Sequence, residues 1–197
     1  MTEVRVAGVD EAGRGALAGP VVCAAVILGS EIKIDNLTDS KKLTYKQRRR
    51  LSKQIKKYCV SWAIGVGSVE EIDRYNILKT TMLGMKRAIE SLECEPDLVL
   101  VDGNQRPDIR VPVQAIVKGD LYVPVISAAS ILAKHTRDKL MHAYEKEYPE
   151  YGLRSNVGYG TPFHLQALRI NGATAIHRKS FAPVRQVIER SRPSFFS

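Results

Sequence analysis

The chain has 197 residues, 44% hydrophobic and 26% charged, which supplies one real core and excludes a disordered or fibrous protein. No apolar run reaches the length of a membrane span, and no basic segment followed by an apolar signal core opens the sequence, so a protein of the cytoplasm is expected. Thirty Lys and Arg against 21 Asp and Glu leave a net charge of +9, which suits an anionic partner and carries no information about fold. The three cysteines, Cys23, Cys59 and Cys94, lack the close spacing of a zinc or redox motif, and core packing is expected for the first two.

Residues 4–9 and 21–28 read as strands, the second a nearly continuous apolar run of buried character. Thr44 can cap a helix running to about residue 57, with Leu51, Ile55 and Tyr58 on its apolar stripe. Residues 59–66 read as a third strand, giving the sheet an antiparallel start. Ser68 or Asp73 can open helical segments, the second reaching about Glu93 with Ile77, Leu78, Met82, Met85 and Ile89 at helical spacing before Pro96. Residues 98–101 form a short, fully apolar strand suited to the middle of a parallel or mixed sheet, and residues 113–117 form another. Residues 124–148 read as a long helix stopped by Pro149. Thr161-Pro162 then opens a capped helix that Gly172 closes. The expected whole is an α/β domain with a mixed sheet over residues 1–148, and a helical C-terminal portion, residues 149–197, packed on it.

Asp10 and Glu11 follow the first strand directly and lead into Gly13-Arg14-Gly15. Two adjacent acids there repel each other and lose hydration unless a cation offsets them. A divalent metal is the simplest such cation, and oxygen-only ligands favour magnesium or manganese over zinc. Asp102 follows the 98–101 strand and precedes Gly103, while Asp120 lies in Lys118-Gly119-Asp120 after the 113–117 strand. Strand ends in open α/β sheets are where ligand sites assemble, so the four acids converge if these strands are neighbours. One acid at a strand end is ordinarily a solvated turn residue; three strand ends plus an adjacent pair reverse that balance. Because consecutive strand residues face opposite ways, Asp10 and Glu11 share one site only if the strand ends or bulges between them; otherwise Glu11 serves a second ion.

The turn Gly13-Arg14-Gly15-Ala16-Leu17-Ala18-Gly19 is not a dinucleotide fingerprint, since its third glycine comes one residue late and acids precede it. Its glycines suit close approach of backbone amides to a sugar-phosphate. Acids gathered in a basic chain point to a metal-dependent enzyme acting on nucleic acid.

Several blocks are similar to one family. Gly8-Val9-Asp10-Glu11-Ala12-Gly13-Arg14-Gly15, Gly19-Pro20-Val21-Val22, Asp39-Ser40-Lys41-Lys42-Leu43, Leu100-Val101-Asp102-Gly103-Asn104, Lys118-Gly119-Asp120, residues 127–134, Gly158-Tyr159-Gly160-Thr161 with His164, and His177-Arg178-Lys179-Ser180-Phe181 lie in order over nearly the whole chain. Together they closely resemble ribonuclease HII of the bacterial type. That resemblance implies a ribonuclease H-like fold, a mixed five-stranded sheet flanked by helices. It implies cleavage of RNA in RNA–DNA hybrids and incision 5′ of single ribonucleotides embedded in duplex DNA, leaving a 3′-hydroxyl and a 5′-phosphate. Asp10, Glu11, Asp102 and Asp120 would hold two Mg²⁺ or Mn²⁺ ions and form the catalytic set. Gly13, Arg14 and Gly15 would recognise the ribose 2′-hydroxyl, the one group that separates RNA from DNA at a given position. Tyr159 would stack on the following sugar. The competing reading is another two-metal nuclease or strand-transferase of the same fold. A monomer is expected, with these duplexes as partners and no membrane.

The segment 41–58 holds nine basic residues and no acid. Lys41 and Lys42 are its candidates for phosphate contact, and Lys46, Arg49, Arg50, Lys53, Lys56 and Lys57 form a largely solvated face. His135 and His142 suit packing or solvation, His164 a backbone or substrate contact near Tyr159, and His177 the orientation of the C-terminal segment. The basic-aromatic tail, residues 192–197, is expected to dock on the protein itself or fray.

Overall fold

A computed structural model describes residues 4–29, 34, 40 and 43–191. The sheet has five strands: β1 (Val6–Ala12), β2 (Val21–Ile27), β3 (Ser61–Gly67), β4 (Leu98–Asp102) and β5 (Val113–Ile116). Their order is β3-β2-β1-β4-β5. The β1–β2 and β2–β3 pairs are antiparallel, and the β1–β4 and β4–β5 pairs are parallel. The mixed sheet, its antiparallel start and the interior place of the apolar 98–101 strand, between β1 and β5, all match the expectation. β2 is buried along its whole length because helices cover both faces, which is why its sequence is unbroken apolar instead of alternating.

On one face lie α1 (Tyr45–Tyr58) and the long α5 (Pro124–Tyr144), whose Leu51, Ile55, Ala128, Ile131 and Leu132 pack with Ala24 and Val26. On the other lies α3 (Ile77–Glu90), whose Met85, Ala88 and Ile89 meet Ala7, Val9, Cys23, Val99 and Val101. A third apolar cluster joins Leu17, Ala18 and Met141 to Tyr151, Leu153, Leu168, Ile176 and Val184, seating the C-terminal helices against the main layers. These helices are α6 (Leu153–Asn156), α7 (Pro162–Asn171) and α8 (Ala182–Arg190). No helix in the described residues is long and apolar enough to cross a membrane.

Thr44 caps α1 through a capping box with Gln47, as expected. Tyr58, expected on the apolar stripe, is instead exposed at the last residue of α1, where Lys57 lies over its ring. Residues 68–93 form two helices. α2 (Val69–Tyr75) is capped by Ser68, and α3 begins after Asn76, not Asp73. Asn76 takes a positive φ of 70°, breaking the helix, and its side chain accepts from the Lys79 amide to start the next one. The helix after Pro124 ends at Tyr144, four residues earlier than expected.

Gly8 is the contact point that lets α5 lie on β1. A Cβ there would stand 2.3 Å from the Val125 backbone carbonyl, so no side chain fits without moving the helix. Gly8→Ala is therefore expected to destabilise the fold by roughly 1–3 kcal/mol, read as a lower urea midpoint. An unchanged midpoint would contradict this close seating.

Candidate active site

The parallel ladder between β1 and β4 runs from Val6–Leu98 to Val9–Val101 and stops. Asp10 and Asp102 are the next residues on each strand, so a cleft opens between two parallel strand ends, with an acid on each lip. A cavity of about 450 Å³ lies there, lined by Asp10, Glu11, Ala12, Gly13, Arg14, Gly15, Ser40, Asp102, Ser130, Lys134 and Tyr159. Seven residues expected from the sequence to form the site thus border one space. No break separates Asp10 from Glu11: β1 continues through Ala12 in unbroken register with β2. Both acids nevertheless border the cavity, and Asp10 Oδ1 accepts the Glu11 amide at 2.7 Å.

Asp120 is placed differently from the expectation. β5 ends at Ile116, Lys118 turns in the left-handed region, and Asp120 sits in the short helix α4 (Gly119–Tyr122). Its amide donates to Asp102 Oδ1 at 3.2 Å, so it stands beside Asp102 and does not line the cavity. Lys41 and Lys42, and the tail 192–197, lie outside the described residues.

Buried, mutually repelling carboxylates dominate the electrostatics of the cleft. Burial, then the neighbouring Glu11 and Asp102, push the Asp10 carboxyl well above the usual carboxylate range, although the Ser130 hydroxyl and the Glu11 amide bond to it. Burial also raises Glu11, with Arg14 opposing at 3.4 Å from a half-exposed position. Ser40 and Ser130 hydroxyls lie 2.9 Å apart, extending the hydrogen-bonded chain that ends on Asp10. Among the described residues, no three Asp, Glu, His or Cys side chains are gathered tightly enough to cage an ion alone. The set is an open oxygen-donor cleft, which fits Mg²⁺ or Mn²⁺ better than zinc: such ions retain waters and take only some ligands from protein, the rest from a substrate phosphate.

Behind the cavity, two arginines hold the glycine-rich turn. Both are fully buried. Arg178 donates to the carbonyls of Gly13, Arg14 and Gly19 at 2.7–2.9 Å. Arg137 donates to Pro20, Ala18 and Val157 at 2.8–3.0 Å. With these carbonyls drawn inward, the turn's peptide planes are fixed and its outer edge is left to the cavity. Gly13, at φ 97°, is pressed against Arg137, so a Cβ would overlap the guanidinium. Burial, then Arg137, lowers Arg178 to about 9. Tyr159 closes the cavity wall: Arg137 and Lys134 lie 5.5 and 5.8 Å from its ring centroid, and a Cβ at Gly15 would stand 3.9 Å from its Cε1.

Arg137, Arg178, Ser40, Ser130 and Lys134 have no assigned role in the sequence reading. A usable signal existed for Arg137, which sits on the α5 face between Ala133 and Met141, both buried; an arginine on an apolar stripe needs buried partners. Arg48 and Lys134 both pair with the buried Asp138, at 3.1 and 2.7 Å, fastening α1 to α5 beside the site.

A family model described as Ribonuclease HII matches residues 7–184. The chain is 56% identical over 182 residues to Ribonuclease HII of Coxiella burnetii (strain Dugway 5J108-111), covering 92% of this chain and 90% of that one. Its fold superposes on the crystal structure of ribonuclease H2 from Pyrococcus horikoshii OT3 with a TM-score of 0.81 at 27% identity, over 95% and 98% of the two chains. A Bst-RNase HIII crystallised in complex with Mn²⁺ shares the fold, with a TM-score of 0.74 at 20% identity over 96% of this chain and 70% of that one. The chain belongs to the ribonuclease HII family and is an endonuclease of the ribonuclease H class.

Proposed function

We propose that this enzyme hydrolyses RNA in RNA–DNA hybrids and also incises 5′ of single ribonucleotides embedded in duplex DNA, with two divalent cations held by Asp10, Glu11, Asp102 and Asp120. The observation that carries the reading is one cavity bordered both by three of these acids and by the Gly13-Arg14-Gly15 turn with Tyr159. Cations bound there would supply an activated water and charge stabilisation at the leaving 3′-oxygen. The protein's own groups orient and select. Buried carboxylates of raised proton affinity favour a divalent partner over an empty site. The arginine-braced turn presents backbone to the 2′-hydroxyl, and the Tyr159 ring covers the neighbouring sugar and keeps bulk water from it.

The test is a DNA duplex carrying one ribonucleotide, incubated with Mg²⁺, Mn²⁺ or a chelator, with both product ends mapped. A single cut on the 5′ side of the ribonucleotide, with a 3′-hydroxyl and a 5′-phosphate and no product under chelation, is expected. Equal cleavage of an all-DNA duplex would favour a nuclease or strand-transferase without ribose selection.

A further inference from the structure

His164 and His177 are fully buried and face each other, Nε2 to Nε2 at 3.1 Å. Their protonation is determined from both ends. The Thr174 amide donates to His177 Nδ1 at 3.1 Å, so that nitrogen carries a lone pair and the His177 proton resides on Nε2. At the other end, His164 Nδ1 lies 2.9 Å from the Tyr159 carbonyl, which only accepts, so the His164 proton resides on Nδ1 and its Nε2 is bare. The two assignments agree: His177 Nε2–H donates to His164 Nε2. A second proton on His164 would leave His177 with acceptors at both nitrogens, which a neutral imidazole cannot provide. Tyr151 packs against both rings, with centroids 6.0 and 4.7 Å away, and its hydroxyl donates to the Gly172 carbonyl. Burial lowers both histidines, His177 to about 4, which agrees with a neutral pair.

The chain of bonds thus runs Thr174, His177, His164, Tyr159, and its first half belongs to the segment that holds the glycine-rich turn. His177 pairs with Ala18 across an antiparallel bridge, the Arg178 amide donates to Leu17, and the Arg178 guanidinium holds Gly13 and Arg14. We propose that His164 and His177 are positioning residues that fix the Tyr159 backbone relative to the Gly13–Gly15 turn, so that ring and turn address one ribonucleotide junction together. This inference rests on the reading of Tyr159 given above.

The test compares kcat/KM on the singly ribo-substituted duplex with kcat/KM on a uniform RNA–DNA hybrid. His164→Leu and His177→Asn are each expected to lower that ratio about tenfold. In His177→Asn the side-chain oxygen keeps the Nδ1 acceptor for Thr174, but the donor to His164 is lost. His177→Gln, whose amide can reach the Nε2 position, restores the ratio to within about threefold of wild type. In the double variant Tyr159→Ala/His164→Leu, the ratio falls no further than in Tyr159→Ala alone, because the histidine acts through the tyrosine. An unchanged ratio in Tyr159→Ala would overturn the reading of Tyr159. A lowered ratio in Tyr159→Ala, with wild-type ratios in folded His177→Asn and His164→Leu, would overturn the histidine link alone, as would additive losses in the double variant. If His164→Leu does not fold, His177→Asn against His177→Gln decides: equal ratios in the two contradict the proposal.

Discussion

Asp10→Asn should abolish cleavage and, in the same protein without metal, raise the melting temperature. Both effects have one physical origin. Asp10 is 5% exposed, beside Glu11 on the same strand and Asp102 on the next, and burial together with these two acids raises its carboxyl. Asparagine keeps an oxygen for the Glu11 amide and a partner for Ser130 while removing the charge. The apo fold is thereby relieved of desolvation and repulsion. Catalysis loses a cation ligand, expected to lower kcat by at least about 10³-fold, at the upper end of what one electrostatic group contributes. The pairing of outcomes is what makes the test informative. A structural acid would give loss of both stability and activity. Thermal unfolding with chelator and with added Mg²⁺ separates the cases: the stability advantage of the variant should disappear, and reverse, once the ion stabilises wild type by binding its folded state.

The second large effect concerns Arg178. In Arg178→Met, the carbonyls of Gly13, Arg14 and Gly19 lose the guanidinium, and among the described residues Gly13 alone keeps a second donor, the Ala16 amide at 3.3 Å. Each unsatisfied buried acceptor costs about 1–3 kcal/mol. An offset exists, because Arg178 and the adjacent Arg137 repel each other in a desolvated site. The net loss is expected near the lower end of the sum, about 3 kcal/mol, a large share of the stability of a domain this size. Arg178→Lys tests geometry against charge: it keeps the cation but cannot fork to three carbonyls, so it should recover little of the loss. Urea unfolding at constant m-value measures both. A shift below about 0.5 kcal/mol, the range of an ordinary surface substitution, would show that the turn does not depend on the guanidinium.

What the sequence made legible was local or periodic. The caps at Thr44, Ser68 and Thr161 were readable because a capping side chain and its amide lie three residues apart. The buried strands were readable from apolar runs, and the acids at the ends of β1 and β4 from charge placed where apolar runs stop. The helix start moves from Asp73 to Asn76 because both are capping residue types, and the positive φ that breaks the chain at Asn76 leaves no mark in the sequence. Asp120 was displaced from strand end to helix by a second such residue, Lys118. The brace behind the site was out of reach for another reason. Arg137 and Arg178 find their carbonyls as far as 119 and 165 residues away, and backbone acceptors leave no mark in a sequence. His164 and His177 stand out singly in the sequence, but their pairing depends on α7 lying beside residues 174–178.

Joint binding of divalent cations by Asp10, Glu11, Asp102 and Asp120 in the cleft between β1 and β4 underlies the proposed chemistry. Anomalous diffraction from crystals soaked in Mn²⁺, with and without a non-cleavable ribonucleotide-containing duplex, tests it most directly. Anomalous peaks are expected within about 2.5 Å of carboxylate oxygens from β1 and β4, with occupancy rising when the duplex phosphate is present. Manganese found only elsewhere on the protein, with this cleft empty beside a bound duplex, would contradict it.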